Sequence, residues 1–382
     1  MRKDPMSEYA LMDEKKGIPL FRPYVPKKAI EFVSDTLNSR WIGEGPKVKE
    51  FEIKFQKFLK SNSECVAVNS GTAALHLAYI LAGVKKGDEV ICPLFTCTAT
   101  NLPILYQGAK PVFCDIAENS LNINIEDIES LITKKTKAIS VVDYGGLPND
   151  YEEIRKICDK YELKLISDCA HCVDGEYKNK PIHEWADFTI YSFQAIKTLT
   201  TGDGGILICN NKENTKLARK IRWFGIDREK KQSGIWENDV TNLGYKYHMN
   251  DISASIGLAS LLEIKYVLST RMKFFEKYID NLSSIKDCIY ENPNNNKKFT
   301  PWLITLNCGN KRLSVMKHLR NFGIESAQVH YRNDRYTVFS SKKCNFPNMN
   351  KIEDSYLVLP LHMGLTVENV DFISKKVLEI MI

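Results

Sequence analysis

Long apolar runs are absent from this 382-residue chain, and no stretch approaches the roughly 18 consecutive apolar residues of a transmembrane helix. The first residues are polar and lack the apolar core of a secretory signal peptide. Blocks of lysine and arginine and a helix-turn-helix pattern are also absent, and the formal net charge is only +6. These absences predict a cytoplasmic protein that binds neither a membrane nor a nucleic acid.

Paired cysteine motifs are also scarce, although the chain contains eleven cysteines. An odd number of cysteines without a signal peptide predicts reduced thiols. Cys169 and Cys172 form one CxxC motif, but no second pair stands at the spacing of a zinc site, and the flanking residues are not those of thioredoxin. We therefore predict no metal, with a redox or zinc role for this pair as the alternative.

Alternating strand and helix patterns begin at about residue 64. The predicted strands are 65–68, 89–92, 111–114, 138–142, 163–166, 187–191 and 206–209. Continuous apolar strands joined by helices predict an α/β fold, whose mainly parallel sheet is covered by helices on both faces. We expect residues 1–25 to form an N-terminal arm, 26–262 a large cofactor-binding domain and 263–382 a smaller α+β domain.

Lys197 stands between the predicted strand 187–191 and the glycine-rich turn at 202–205. Burying an ammonium group in an apolar sheet is costly unless the group is paired or neutralised. A lysine at such a position is typical of an amine with a lowered pKa that acts as a Schiff-base nucleophile and proton shuttle. The alternative is a lysine whose amine reaches water past the strand end.

Three further features suit a lysine that holds an aldehyde cofactor with a pyridine ring. Asp168, at the end of a predicted strand, would keep the ring nitrogen protonated so that the ring acts as an electron sink. A helix begins at Ser70, Gly71 and Thr72, and its first N–H groups suit a phosphate. The Ser192 hydroxyl would donate a hydrogen bond to the same phosphate. Parallel strands end at one edge of a sheet, so we expect these residues to converge there. Taken singly, the helix start is also a plain N-cap, and Asp168 an ordinary strand-end carboxylate.

Seven ordered motifs extend these features from about residue 18 to the C-terminus. They are WIGEGP at 41–46, NSGTAAL at 69–75, DCAH at 168–171, SFQAIK at 192–197, GDGG at 202–205, GYKYHMND at 244–251 and LPLH at 359–362. In this order and spacing they resemble the DegT/DnrJ/StrS family of sugar aminotransferases, within the fold-type-I aminotransferase superfamily. The resemblance implies a three-layer αβα large domain like that of aspartate aminotransferase, with pyridoxal 5′-phosphate (PLP) as the cofactor.

The resemblance also implies the roles of the site residues. Lys197 would hold PLP as a Schiff base and then carry the proton between the α-carbon and the cofactor. Asp168 would pair with the pyridine nitrogen. His171 would lie near the phenolic oxygen of PLP, and the alternative is a satisfied core histidine. The cofactor phosphate would be held by Ser70, Gly71, Thr72 and Ser192.

Three segments depart from the usual residues of the family. In a GYNYR-like motif, Lys246 replaces asparagine and His248 replaces arginine, but a lysine still meets a phosphate as a point charge. Cys97 takes the place of an aromatic ring that relatives stack on the cofactor. The 330–334 segment lies where relatives have a substrate loop, and a solvated loop is the alternative. The expected substrate-binding residues are Trp41, His330, Arg332 and Asn333.

The implied reaction has two halves: glutamate gives its amine to PLP, and the loaded cofactor then aminates a nucleotide-linked keto sugar. The expected substrate is a 4-keto-6-deoxyhexose, converted to a perosamine- or viosamine-type product for surface polysaccharide. The 244–250 segment resembles one that reaches the neighbouring subunit's cofactor, which implies a homodimer with active sites at the interface. The alternatives are a sugar dehydratase of the same family, which typically replaces the lysine with histidine, and a PLP-binding regulator without turnover.

Overall fold

The computed structural model describes residues 17–235, 239–339 and 345–382, so the predicted arm lies mostly outside the described residues. The strands in these ranges are β1 (Cys65–Val68), β2 (Glu89–Pro93), β3 (Lys110–Cys114), β4 (Thr136–Val142), β5 (Lys164–Asp168), β6 (Glu176–Tyr177), β7 (Lys180–Pro181), β8 (Phe188–Ser192), β9 (Gly205–Cys209), β10 (Lys297–Lys298), β11 (Ile304–Asn307) and β12 (Tyr356–Leu359). The α-helices are α1 (Lys28–Ser39), α2 (Pro46–Phe58), α3 (Gly71–Leu81), α4 (Thr98–Tyr106), α5 (Ile125–Leu131), α6 (Tyr151–Lys160), α7 (Lys212–Ile221), α8 (Arg228–Gln232), α9 (Asp251–Leu282), α10 (Arg312–Asn321), α11 (Pro347–Ile352) and α12 (Val367–Met381).

A seven-stranded sheet forms the centre of the described chain, in the order β1-β9-β8-β5-β4-β2-β3. The strand β9 runs antiparallel to its neighbours β1 and β8. The other neighbouring pairs, from β8–β5 through β2–β3, are parallel. The α/β fold with a mainly parallel sheet that the sequence predicts is therefore confirmed, and each predicted strand lies within a few residues of an observed one.

Single strands bury their side chains on both faces of the sheet. In β1, Val66 and Val68 pack in an apolar cluster with Leu77 of α3, whereas Cys65 and Ala67 pack in the cluster that contains residues of α2 and α6. A strand covered on both sides gains from apolar residues at every position, because both faces exclude water. This packing explains the continuous apolar runs in the sequence.

The C-terminal part of the chain has a third core. The strand β11 pairs antiparallel with β12, and α10 and α12 pack beside them. The helix α9 joins both regions, because Leu258 contributes to the core beside α2 while Phe274 and Tyr278 contribute to the C-terminal core. One continuous helix therefore spans the predicted boundary at residues 262 and 263, and the division into two domains stays a prediction.

Among the described residues, α9 is the helix that is long and apolar enough to cross a membrane by length and composition. Its side chains pack instead against α1, α2 and α12. Apolar residues on several sides are expected of a helix that contacts neighbours on several sides. These contacts account for the apolar composition of α9.

Candidate active site

The ends of two parallel strands define the candidate site. Asp168 is the last residue of β5 and Ser192 is the last residue of β8, and these strands are parallel neighbours. Lys197 follows Ser192 in the loop that leads to β9, where its N–H donates to the Gln194 carbonyl at 2.9 Å. The topology thus brings Asp168, Ser192 and Lys197 to one edge of the sheet, where the sequence predicts them.

Lys197 is half-buried, and its amine lies against an aromatic ring. Its Nζ is 3.7 Å from the centroid of the Trp302 ring. Burial lowers the pKa of this amine to about 8, and the Asp168 carboxylate and the Cys97 thiol limit the fall. An amine with such a pKa keeps a useful deprotonated fraction near neutral pH, as a Schiff-base nucleophile requires.

Asp168 is a buried carboxyl group with two hydrogen-bond donors. Oδ2 accepts from the Thr100 hydroxyl at 2.8 Å, and Oδ1 accepts from the Ala170 N–H at 3.0 Å. Burial raises the pKa of Asp168, while these two bonds and the Lys197 amine lower it. The two donors fix the orientation of the carboxylate and favour its charged form.

His171 lies in a stack of rings beside Lys197. Its ring centroid is 3.9 Å from that of Trp302 and 5.4 Å from that of His330, with interplanar angles of 30° and 15°. Burial lowers the pKa of His171 well below its usual value, and the Lys197 amine and His330 lower it further. The neutral ring accepts at Nδ1 from the Gly145 N–H at 3.3 Å, so its proton belongs on Nε2. His171 therefore offers one N–H donor.

The start of α3 combines a capped helix with free backbone donors. The Ser70 hydroxyl accepts from the Ala73 N–H at 3.0 Å, so Ser70 is the N-cap that the alternative interpretation describes. The N–H groups of Gly71 and Thr72 precede the first intrahelical bond and remain available to an anion. A Cβ at Gly71 would lie 2.8 Å from the Ser192 Cβ, so the glycine lets the helix start approach Ser192.

These residues fit PLP by their chemistry. Within the described residues, the Lys197 amine makes no hydrogen bond or ion pair, and its nearest ring neighbour is Trp302. The buried Nε2 of His330 also lacks a hydrogen-bond partner there. An amine, a charged carboxylate, a neutral donor histidine and a helix N-terminus match the aldehyde carbon, pyridine nitrogen, phenolic oxygen and phosphate of PLP in turn.

Two other predicted cofactor residues lie at the border of this site. Cys97 is half-buried at the N-cap of α4, close enough for its thiol to affect the pKa of Lys197. Lys246 is exposed, and its carbonyl accepts from Asn69 Nδ2 at 3.2 Å, next to the start of α3. The backbone of this lysine therefore lies near its own subunit's predicted phosphate site.

The predicted substrate residues fall into different environments. His330 stacks on His171, but the Arg332 guanidinium is 1% exposed and binds the carboxylates of Asp334 and Glu353 at 2.7–2.9 Å. Asn333 is fully buried and donates to the Thr96 carbonyl at 2.7 Å. The Asn333 contact holds the 330–334 loop against the residues just before α4, and the Arg332 contacts tie it to Glu353. We therefore propose a loop-supporting role for Arg332 and Asn333 in place of direct substrate binding.

Trp41 is the predicted substrate residue that the described subunit places elsewhere. Its side chain is 52% exposed, and its indole N–H donates to the Glu44 carbonyl at 3.1 Å. It lines a cavity of about 930 Å³ with Glu44, Arg222 and Arg228, and this cavity includes neither Lys197 nor Asp168. The structure therefore does not bring Trp41 to Lys197 within one chain.

The two cysteines of the CxxC motif make contacts inside the core. The Cys169 thiol contacts the Asp143 carboxylate at 3.4 Å, and the Cys172 thiol contacts the Gly146 carbonyl at 3.4 Å. Among the described residues, all cysteines are free thiols, and no group of three or more His, Cys, Asp or Glu side chains is arranged to hold a metal ion. Both thiols act here as weak donors in the core behind Asp168.

Sequence reasoning missed two residues of the site, Thr100 and Trp302. Thr100 meets Asp168 across 68 positions, and Trp302 meets Ile196 across 106 positions, where its indole N–H donates to a carbonyl. Neither residue stands in a local motif. Both contacts join residues far apart in the chain, so no pattern in the sequence identifies either residue.

Comparison with known proteins agrees with this geometry. The model of the DegT/DnrJ/EryC1/StrS aminotransferase family matches residues 23–378. The spore coat polysaccharide biosynthesis protein SpsC of Bacillus subtilis is 33% identical over 380 residues, which cover 95% of this chain and 97% of that protein. GDP-perosamine synthase of Escherichia coli O157:H7 is 31% identical over 369 residues, covering 95% and 98%. The PLP form of a putative sugar aminotransferase from Streptococcus pneumoniae has a TM-score of 0.89 at 28% identity, covering 96% of this chain and 98% of its own.

Proposed function

The chain belongs to the DegT/DnrJ/EryC1/StrS aminotransferase family, and from that premise we propose that it transfers an amino group from glutamate to a nucleotide-linked keto sugar. It is a PLP-dependent aminotransferase with a fold-type-I architecture. Bound PLP supplies an electron sink that stabilises the carbanion formed at the substrate carbon. The observation that carries the proposal is the Lys197 amine, with its pKa lowered to about 8, at the same sheet edge as the Asp168 carboxylate.

Each residue of the site would make a distinct contribution. Lys197 Nζ would take a proton from the substrate carbon and return it one position away, which a pKa of about 8 permits near neutral pH. Asp168, charged and fixed by two donors, would hold a proton on the ring nitrogen. His171 Nε2–H would donate to the phenolic oxygen. The N–H groups at Gly71 and Thr72 would bind the phosphate together with the Ser192 hydroxyl.

The proposed acceptor is a 4-keto-6-deoxyhexose attached to a nucleoside diphosphate. One relative is named a GDP-perosamine synthase and another a spore coat polysaccharide biosynthesis protein, and both align over nearly their whole length. These names support an amino-sugar product used in a surface polysaccharide such as an O-antigen. We also propose that the enzyme works in the cytoplasm.

We propose further that the working unit is a homodimer with its active sites at the interface. Apolar side chains are exposed on one pair of packed helices: Ile30 of α1 is 77% exposed, and Leu262 and Tyr266 of α9 are 57% and 59% exposed. Leu243, just before the GYKYHMND motif, is 79% exposed. A second copy that covers these side chains would remove a large apolar surface from water.

The test of the transfer reaction uses the purified holoprotein. With glutamate alone, the visible absorbance of bound PLP should convert to the spectrum of the amine form, and 2-oxoglutarate should appear. Adding a panel of nucleotide keto sugars should then give one product in which the ketone oxygen is replaced by an amino group and a hydrogen atom, as mass spectrometry would show. Loss of water from the sugar without gain of nitrogen would instead establish the dehydratase, and bound PLP that glutamate leaves unconverted would support the regulator.

A further inference from the structure

Trp302 is held rigidly in the loop that precedes β11. Its backbone N–H donates to the Gly145 carbonyl at 2.8 Å, and its own carbonyl accepts from Arg271 Nη2 at 3.1 Å. The indole N–H donates to the Ile196 carbonyl at 3.0 Å, and the ring stacks on Phe21 with centroids 5.7 Å apart. With 1% of its surface exposed, the side chain has one defined position.

The indole ring contacts both the Lys197 amine and the His171 ring. The Lys197 Nζ lies 3.7 Å from the ring centroid, and the His171 ring stacks at 3.9 Å. Ile196, which accepts the indole N–H, directly precedes Lys197 in the chain. One side chain from the C-terminal half of the sequence therefore touches two residues of the site and the backbone next to the lysine.

We propose that Trp302 is a positioning residue that uses the face of its indole to hold the Lys197 amine at the sheet edge and to keep the His171 ring in its stacked orientation. The inference rests on the proposed role of Lys197 as the amine that binds PLP. A cationic amine is attracted to the negative face of an indole ring, and the apolar ring also excludes water from one side of the amine. Trp302 would thus hold the amine in place without a direct ion pair to a carboxylate, which would keep the amine protonated.

The other groups around the Lys197 amine differ in which protonation form of the amine they favour. Asp168 and the Cys97 thiol favour the ammonium form, while His171 and His330 are neutral rings whose own protonation the amine opposes. Burial favours the neutral amine. The indole face is therefore one of few attractions for the ammonium, and its loss should shift the Lys197 titration downward.

The first experiment measures the titration of Lys197 in the full-length apoprotein. Competitive labelling with acetic anhydride, followed by mass spectrometry of the Lys197 peptide, gives the pH midpoint of this single amine. Trp302→Leu removes the aromatic face but keeps an apolar side chain, so the midpoint should fall by about 0.5–1 pH unit. Trp302→Phe keeps a ring face and should stay within about 0.3 unit of the wild type.

Trp185 supplies a matched control. Its indole N–H also donates to a carbonyl, that of Tyr177 at 3.3 Å, and Lys180 Nζ lies 4.6 Å above its ring. It precedes β8, at the opposite end of that strand from Ser192. Trp185→Leu should leave the Lys197 midpoint unchanged. An equal shift in this control, or no shift in Trp302→Leu, would overturn the proposal.

A second measurement does not depend on the folding of Trp302→Leu. The emission of Trp302, obtained as the difference between wild-type apoprotein and Trp302→Phe, should change with pH at the Lys197 midpoint, and Lys197→Met should abolish that change. A pH-independent difference would contradict contact between ring and amine. Both experiments use apoprotein and measure no transfer reaction. Their failure would leave the proposed transfer reaction standing, and a failed transfer assay would leave the contact between Trp302 and Lys197 standing.

Discussion

Burial raises the pKa of the Asp168 carboxyl group, and two hydrogen-bond donors oppose that rise. The Thr100 hydroxyl and the Ala170 N–H lower the pKa of the carboxyl group against the effect of burial. The Thr100 hydroxyl also lies 2.8 Å from the Thr96 hydroxyl, so it belongs to a short polar chain inside the core. At the scale of single residues, the proposed contact of Asp168 with the pyridine nitrogen therefore depends on the Thr100 hydroxyl, which binds the Asp168 carboxyl group.

Thr100→Val should weaken PLP binding by about tenfold or more, because a hydrogen bond to a charged group is removed and the pKa of Asp168 rises. The affinity of apoprotein for PLP is measured by absorbance titration at pH 7–8. Thr100→Ser keeps the hydroxyl and serves as the control that should restore binding. An affinity equal to that of the wild type in Thr100→Val would contradict the assigned role of Thr100.

Site residues could be predicted from the sequence where a polar or reactive side chain comes just after a predicted strand. Lys197, Asp168 and Ser192 each follow a predicted strand, so their convergence follows from topology alone. Arg332 shows why other assignments are harder: an arginine in a loop suits either a diphosphate or buried carboxylates. The structure surrounds it with Asp334 and Glu353, and Glu353 comes from beyond the loop.

At the scale of elements, the position of the α3 start depends on a glycine, which has no side chain. Gly71 allows the first turn of the helix to lie against Ser192, where a Cβ would come within 2.8 Å of the Ser192 Cβ. Both partners of that contact are predicted phosphate ligands. The spacing between helix and strand therefore sets the size of the phosphate site.

Gly71→Ala should separate the α3 start from Ser192 and raise the dissociation constant for PLP by at least about tenfold, because the charged phosphate then loses hydrogen bonds from the N–H and hydroxyl donors. The affinity for pyridoxal, which lacks the phosphate, should change far less. Gly43→Ala is the matched control, because a Cβ at Gly43 meets nothing within 4 Å. Equal losses for PLP and pyridoxal would argue against a phosphate site at Gly71.

Glu291 binds the strand β11 through hydrogen bonds and makes the free energy of unfolding depend on pH. Its carboxyl group accepts from the Thr305 N–H at 2.8 Å and from the Thr305 hydroxyl at 2.6 Å. Burial raises the pKa of Glu291 to about 7. Between about pH 4.5 and 7 the folded protein keeps a proton that the unfolded chain releases, so the free energy of unfolding falls as pH rises through this window.

Glu291→Gln should remove this contribution, which is about 3 kcal/mol over the whole window. Urea unfolding at pH 5 and at pH 7.5 gives the difference in unfolding free energy for each protein. The wild type should lose more stability on going to the higher pH than the variant does. A difference that is the same in both proteins would show that Glu291 ionises freely in the fold.

The elements themselves were largely predictable, and α9 shows the limit. The sequence predicts a helix at 250–261 and another at 264–279, whereas the structure has one helix, Asp251–Leu282. Its buried side changes partners along its length, from α1 and α2 to α12, so no single apolar stripe runs through it. A pattern analysis that follows one stripe therefore divides the helix in two.

At the scale of the whole molecule, the exposed apolar side chains of α1 and α9 predict self-association. The proposed dimer would cover Ile30, Leu262 and Tyr266, which project from two helices that pack on each other. Sequence motifs imply the dimer through the GYKYHMND segment, and the exposed surface supports it independently.

Leu262→Lys combined with Tyr266→Lys should convert the dimer to monomers, because two charges would have to be buried in an apolar interface. Sedimentation should give twice the 43.7 kDa subunit mass for the wild type and a single subunit mass for the variant. Leu313→Lys is the control, because Leu313 is 51% exposed on α10, a helix that packs on α12. A variant that remains dimeric at micromolar concentration would exclude this face.

The account depends most directly on the amine that holds the cofactor. Borohydride reduction of the yellow holoprotein, followed by proteolysis and mass spectrometry, locates the lysine that carries the phosphopyridoxyl group. The expected result is one label, on the peptide that contains Lys197, and none on Lys197→Ala. A label on a different lysine, or a wild-type protein that takes up PLP without becoming labelled, would contradict the central claim.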